Sequence, residues 1–160
     1  MPDIQLAAMS LGWGNPAGDK LDAFLTDVKT AGYEGVAGFA DGTWEMYLDH
    51  PDDFAHQLSD HGLSLASLDV KVHRDLEAYR KTCAFMAQFN CKHLVCLGGV
   101  GTVVDTYVEL ADVLNPIGEI ALEYGIRTVY HNGRTRETFS DMTTVLSHVD
   151  PDKVFAMCDL

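Results

Sequence analysis

The residues best suited to chemistry lie directly behind a short apolar stretch near position 130. Segment 126–130 consists largely of residue types that favour a covered strand, and His131, Asn132 and Glu137 follow it. An imidazole, an amide and a carboxylate at the end of a buried strand are typical of the place where α/β enzymes hold catalytic groups. We therefore take Asn132 as a candidate substrate contact. The competing interpretation is an ordinary strand followed by a solvated loop.

Two carboxylates, Glu137 and Asp159, are candidate metal ligands. Hard divalent cations such as Mg²⁺ and Mn²⁺ prefer carboxylate oxygens, and an imidazole also suits Zn²⁺ and Co²⁺. Glu137 could also act in proton transfer, or it could instead cap a helix that begins near Thr135 or Thr138. His131 could bind the metal, contact the substrate or be a hydrogen-bonded core histidine, and we favour the substrate-facing, catalytic role.

A second group of polar side chains ends the strand-like run 64–73. Asp69, Lys71 and His73 alternate along DVKVH, so we expect them to point to the same side. His73 is a candidate acid or base because imidazole titrates near neutrality, and Lys71 is a candidate substrate contact. A solvated strand end is the alternative for both.

Two tryptophans also follow strand-like runs. Trp13 comes after the first run, and Trp44 comes after the second, close to Asp41. Either ring could stack on the apolar face of a sugar, and core packing is the competing role. The glycine-rich segment LGGVG at 97–101 lacks the Lys-Ser/Thr of a P-loop, and it is interpreted as a tight turn or a substrate contact.

The elements that would position these residues repeat about every 30 residues. Apolar strand-like runs begin near Ile4, Glu34, Ser64, His93, Ile126 and Val154. Helical three- and four-residue spacing lies between them. Asp19 and Asp75 are predicted to cap the first and third helices. Helix ends are predicted at Gly32, Gly62, Asn90 and Gly125.

Strands that alternate with helices predict a parallel sheet, in either a (β/α)8 barrel or an open doubly wound sheet. The first loop, LGWGNPAG, lacks GxGxxG, which argues against a dinucleotide fold. A full barrel takes about 250 residues, and this chain has 160. We therefore expect a single domain, residues 1–160, that forms the N-terminal portion of a (β/α)8 barrel with about six strands and five helices.

The charge and the hydropathy of the chain argue against several classes of binding partner. A net charge of −13 repels phosphate backbones, so no nucleic acid partner is expected. No apolar run reaches the about 20 residues of a membrane helix, and the N-terminus has no basic leader. The four cysteines form no CxxC pair and are expected to be reduced and buried in a cytoplasmic protein.

Four segments together resemble the xylose isomerase-like barrel superfamily of sugar phosphate isomerases and epimerases. They are IQLAAMSLGWG, LDAFLTDVKTAGYEGV, ALEYGIRTVYHNG and VFAMCDL. The similarity is greatest to the inosose dehydratase branch, which acts on a keto-inositol and also has a histidine-rich motif on strand five. One departure is Gly133, which stands where the family has the second histidine of HNH.

The resemblance implies a divalent metal (Mn²⁺, Mg²⁺, Co²⁺ or Zn²⁺) held by Glu, Asp, His and Glu from strands five to eight. Glu137 and Asp159 resemble the first two ligands, and the others would come from strands that this chain does not contain. The implied enzyme is an isomerase, epimerase or dehydratase that forms an enediolate from a sugar or polyol, and the chain alone is expected to be inactive. The alternative is a non-catalytic half-barrel that binds a partner or forms a homo-oligomer.

Overall fold

Six strands form one parallel sheet in the computed structural model, which describes residues 5–131 and 138–157. The strands pair in the order in which they occur along the chain. Their bounds are β1 Ala7–Met9, β2 Gly35–Phe39, β3 Ser64–Lys71, β4 His93–Leu97, β5 Arg127–His131 and β6 Val154–Met157. These bounds confirm the six strand-like runs of the sequence.

Five helices connect these strands one after another. Their bounds are α1 Leu21–Thr30, α2 Pro51–His61, α3 Leu76–Gln88, α4 Tyr107–Glu123 and α5 Phe139–His148. A doubly wound sheet reverses its strand order at a switch point, whereas the strands of a barrel follow one another in sequence. The sequential order therefore confirms the barrel-type architecture, with six strands and five helices in the described part of the chain.

The core lies between the helices and one side of the sheet. Val36, Leu68, Leu94 and Tyr130 come from four neighbouring strands, and none has exposed surface. They belong to a single apolar cluster that includes the buried faces of the helices. Because side chains alternate along a strand, the residues between them face the opposite side. We call that opposite side, which all six strands share, the inner face.

The helix boundaries follow local signals in most places. Asp75 caps α3, since its Oδ1 accepts hydrogen bonds from the backbone N–H groups of Glu77 and Ala78. The prediction for Asp19 is wrong: it lies in a short 3₁₀ turn, Gly18–Lys20, and makes no side-chain cap to α1. Helices α1 to α4 end one or two residues before the predicted glycine and asparagine positions.

Three of the four cysteines lie in the apolar core. Cys83, Cys91 and Cys96 are buried as predicted, and burial raises the pKa of the Cys91 thiol to about 11, which keeps it neutral. Cys158 lies outside the described residues.

Among the helices in the described part of the chain, none has the length and apolar character needed to cross a membrane.

Candidate functional site

The strand register sets the polar groups of the inner face in rows. Lys71 of β3, Leu97 of β4, His131 of β5 and Met157 of β6 are successive register partners at the carboxyl ends of their strands. Lys71 and His131 are two strand spacings apart, which places their backbones roughly 10 Å from each other. The fold therefore brings two of the predicted site residues to the same end of the same face.

The next row toward the amino ends of the strands contains Asp69, Val95, Val129 and Phe155. The three apolar members of this row line a cavity of about 440 Å³ that also touches β1 and β2. The inner face thus has a row of mainly apolar residues below the row that contains Lys71 and His131, while His93 and Arg127 line the same cavity at the amino ends of β4 and β5. This distribution suits a ligand with a carbon skeleton and outward hydroxyl groups.

Asp69 is a buried carboxyl group near this rim, with 7% of its surface exposed. Its burial, and secondly the negative charge of Asp41, raise the pKa of Asp69 to about 7. One Asp41 carboxylate oxygen, Oδ1, is buried and has no hydrogen-bond partner among the described residues. Both residues stand near strand ends in the sequence, and neither was predicted to have a role. The sequence signal that could have pointed to Asp69 is an acidic residue within an otherwise apolar strand.

His73 does not share the inner face with Asp69 and Lys71, so the expected common direction is wrong. Strand β3 ends at Lys71, and the His73 ring stacks on Tyr79 of α3, with 4.3 Å between ring centroids. Its Nδ1 accepts a hydrogen bond from the Asp75 backbone N–H (3.2 Å). The α3 cap therefore holds His73 on the helix side of the sheet. Its catalytic role stays a prediction.

Trp13 lies in the 3₁₀ turn Ser10–Trp13 that follows β1. The residue is 42% exposed, and its ring meets Phe24 edge-on, with the ring centroids 5.2 Å apart. The indole Nε1–H donates to Asp27 Oδ2 (3.2 Å). Trp13 is thus anchored to α1 on one side while part of its ring remains accessible, and its substrate contact stays a prediction.

Trp44 lies in the core, which corrects its prediction as a substrate contact. It has no exposed surface, its Nε1–H donates to the Pro16 carbonyl oxygen (3.0 Å), and its ring packs on Phe54. Gly38 of β2 makes room for it, because a Cβ there would lie 2.6 Å from the indole ring. Packing, the competing role, accounts for these contacts.

The glycine-rich segment after β4 forms a tight turn. The Gly99 carbonyl oxygen accepts hydrogen bonds from the backbone N–H groups of Thr102, Val103 and Val104. Gly99 has φ +118°, a conformation that side chains other than glycine rarely adopt. Gly98 lines a cavity of about 390 Å³ together with Lys71. The turn interpretation is confirmed, and the same turn borders the inner face near Lys71.

Three predicted site residues, Asn132, Glu137 and Asp159, lie outside the described residues. The N-cap of α5 is Thr138, whose Oγ1 accepts from the Asp141 backbone N–H while the Asp141 carboxylate accepts from the Thr138 N–H. The capping role considered for Glu137 therefore belongs to Thr138. Among the described residues, no group of three or more His, Cys, Asp and Glu side chains is arranged to hold a metal.

The sequential parallel strands and their polar carboxyl ends define an α/β barrel-type protein. The family model for the xylose isomerase-like TIM barrel matches residues 25–160. The chain therefore belongs to the xylose isomerase-like TIM barrel family, which confirms the resemblance drawn from the sequence.

A curated relative and two solved structures illustrate the similarity. Inosose dehydratase from Lactiplantibacillus plantarum is 24% identical, over 98% of this chain and 61% of the relative. A sugar phosphate isomerase/epimerase from Parabacteroides distasonis has a TM-score of 0.74 at 17% identity, over 98% of this chain and 68% of that one. A barrel protein from Mycobacterium smegmatis in complex with magnesium also has a TM-score of 0.74, at 16% identity, over 98% and 64%.

Proposed function

We propose that this chain carries the substrate-binding end of a metal-dependent isomerase, epimerase or dehydratase that acts on a sugar or polyol. The observation that carries the proposal is the register row that sets Lys71 and His131 at one end of the inner face, above a row of mainly apolar residues. The names of the relatives supply the substrate class: one is an inosose dehydratase and another a sugar phosphate isomerase/epimerase.

The roles of the polar groups follow from the chemistry of a hydrogen next to a carbonyl. His131 or Glu137 removes the proton from that carbon, which leaves an enediolate. Return of a proton to the other face or to the neighbouring carbon gives an epimer or an isomer, and loss of a neighbouring hydroxide gives a dehydrated product. Lys71 and Asn132 bind substrate oxygens, and Trp13 covers an apolar face of the ring.

Glu137 and Asp159 are the residues that would hold a divalent cation. Strands β5 and β6 are neighbours in which His131 and Met157 are register partners, and the two carboxylates follow these positions by six and two residues. Carboxylate oxygens match the preference of hard divalent cations, and the mycobacterial relative was crystallised with magnesium. A bound cation polarises the substrate carbonyl and so acidifies the adjacent C–H.

The activity of the whole protein is part of this proposal, because the chain spans 61% of the length of the curated relative. We propose that residues 1–160 fold as one domain and supply the N-terminal strands of the barrel. Two carboxylates leave coordination positions open to further ligands. The chain by itself is therefore expected to complete no turnover to product, although its base and a bound cation should still support slow exchange of the hydrogen next to the carbonyl.

Deuterium exchange tests the proposed chemistry at the step that all three reaction types share. We expect inosose in D₂O to exchange the hydrogens next to its carbonyl slowly, but faster with the chain and Mn²⁺ than with Mn²⁺ alone. EDTA or the substitution Glu137→Gln should remove the difference, and Asp60→Asn, an exposed acid on α2, should not. Equal exchange with and without the chain, measured by proton NMR, would contradict the proposal.

A non-catalytic binding or oligomerisation module is a second candidate, and the inner face favours it. Apolar residues of several strands line its cavity, and β1 and β6 each pair with a single strand in the described sheet. An unpaired strand edge offers free N–H and C=O groups to another chain. Sedimentation of the chain as a stable, metal-free dimer that gives no exchange would favour this candidate.

A further inference from the structure

A cavity of about 390 Å³ lies where β3 and β4 end, beside the inner face. Lys71 borders it from β3, and the glycine-rich turn borders it from β4 through Gly98 and Gly99. The strand register pairs Lys71 with Leu97, and the Val72 N–H donates to the Leu97 carbonyl oxygen (3.0 Å). Lys71 and the backbone of the turn are therefore held side by side around the same space.

Lys71 brings to this cavity a positive charge that no described side chain neutralises. Acidic residues outnumber basic ones by 24 to 11 in the chain, and Lys81 on α3, for comparison, pairs with Asp49 at 2.7 Å. Lys71 forms no ion pair with any described residue, including Asp69 two positions earlier on the same face. The described lining of the cavity contains no acidic side chain. An ammonium group in this position attracts an anion.

The turn leaves two backbone donors beside the cavity. Gly98 (φ +69°) and Gly99 (φ +118°) have consecutive left-handed backbone conformations, and their N–H groups have no acceptor within the described residues. Successive backbone N–H groups in a turn form concave sites that bind anions. A Cβ at Gly98 would meet no atom within 4 Å, so the backbone of this residue is open to a ligand.

The charge at this cavity matches a carboxylate better than a phosphate. Lys71 is the one cationic side chain in the described lining, since the Arg74 guanidinium lies outside it and contacts the Val103 carbonyl oxygen (3.5 Å). A singly charged carboxylate has one oxygen for the ammonium group and one for the N–H groups of the turn. A phosphate dianion would keep part of its charge unpaired, and the net charge of −13 repels a dianion more strongly.

We propose that Lys71 and the turn at Gly98 and Gly99 bind the carboxylate group of an acidic sugar substrate. This inference rests on the proposed function and deepens it, because it names the substrate class. Lys71 shares its register row with His131 on β5, so a ligand anchored at the turn extends along this row toward His131. A neutral sugar leaves the subsite empty and binds through the remaining contacts.

NMR of the backbone amides tests the subsite with two ligands that differ in one group. D-Glucuronate carries a carboxylate where D-glucose carries a hydroxymethyl group. We expect glucuronate to shift the amide signals of Gly98 and Gly99, and glucose at the same concentration to leave them nearly unchanged. D-Glucose 6-phosphate, the dianionic probe, should bind more weakly than glucuronate. Equal shifts with glucose and glucuronate, or tighter binding of the phosphate, would overturn the inference.

The substitution Lys71→Gln should weaken glucuronate binding about tenfold, because a charge-assisted hydrogen bond is lost. Lys92→Gln is the matched control, since it removes the same charge from an exposed position at the amino end of β4 and should bind as the wild type does. Unchanged affinity in Lys71→Gln would overturn this inference and leave the inosose exchange, which tests the proposed function, untouched. Glucuronate binding that depends on Lys71, without any exchange of inosose, would contradict the proposed function and leave the carboxylate subsite in place.

Discussion

A carboxyl group in a covered strand works against the fold once it is charged. Burial, and secondly the charge of Asp41, raise the pKa of Asp69 from 3.8 to about 7. Between these two values the folded chain holds a proton that the unfolded chain has released. The contribution of Asp69 to stability is therefore complete below about pH 4 and is lost as the pH rises toward 7, so the free energy of unfolding falls through this window.

The substitution Asp69→Asn should remove this loss, because an amide resembles the protonated carboxyl group at every pH. One pKa unit corresponds to about 1.4 kcal/mol, so at pH 8 the variant should be more stable than the wild type by roughly 2 to 4 kcal/mol. At pH 4 the two proteins should be nearly equal. Urea denaturation at pH 4, 6 and 8 measures the difference, with Asp60→Asn as the control.

Parallel stability curves for the wild type and Asp69→Asn would show that Asp69 is ionised without penalty. Burial of the Asp69 carboxyl group would then not oppose its ionisation. A pH-dependent difference that also occurs in Asp60→Asn would assign the effect to the net charge of the chain instead of to the buried site.

Sequence patterns failed most often to predict where single side chains lie. Trp44 and Trp13 both follow strand ends, but a sequence does not show which ring the helices will cover, and Trp44 is in the core. Side chains alternate in direction only within a strand, and His73 lies two residues past the end of β3. The turn into α3 then rotates the histidine to the helix side.

The helices and strands were predictable because local signals agree with one another. Apolar periodicity and the capping residue Asp75 predict the strands and the start of α3 within a few residues. Asp19 has the right residue type but makes no cap, because it lies within the 3₁₀ turn Gly18–Lys20, and Lys20 occupies the N-cap position of α1. Residue type alone therefore does not distinguish a capping residue from an acid that lies one residue before the cap position.

The two aspartates form a matched pair for testing helix capping. Asp75→Ala should lower the free energy of unfolding by about 1 kcal/mol, because two backbone N–H groups of α3 lose their acceptor. Asp19→Ala should change it by less than about 0.5 kcal/mol. Urea denaturation at one pH compares them, and equal effects of the two substitutions would contradict the capping assignment. Asp75→Ser should recover most of the loss.

Helix α4 approaches the start of β6 closely at Gly118. A Cβ at this position would lie 2.8 Å from the Lys153 carbonyl oxygen, which belongs to the backbone and cannot rotate away. Gly118→Ala should destabilise the chain by roughly 1 to 2 kcal/mol, since the overpacking exceeds the gain in helix propensity. Gly12→Ala is the control, because a Cβ there meets no atom within 4 Å. A stabilised Gly118→Ala variant would show that α4 can move away freely.

At the scale of the molecule, the architecture could be predicted and part of the site could not. Strand–helix repeats of about 30 residues lead directly to parallel order, and the register then places Lys71 and His131 in one row. The position of Asp69 between Phe39 and Val95 depends on how neighbouring strands align, which no local pattern encodes. A site assembled from several strand ends is therefore visible in sequence only as separate polar residues.

Mn²⁺ binding tests the central claim, a metal-dependent site at the carboxyl ends of the strands, most directly. Isothermal titration of the chain should show a Mn²⁺ site whose affinity falls at least tenfold in the double variant Glu137→Ala, Asp159→Ala, because both carboxylate ligands are lost. The matched double variant Asp52→Ala, Asp60→Ala removes the same charge from exposed positions on α2 and should bind as the wild type does. Native Mn²⁺ affinity in the Glu137 and Asp159 double variant would contradict the account.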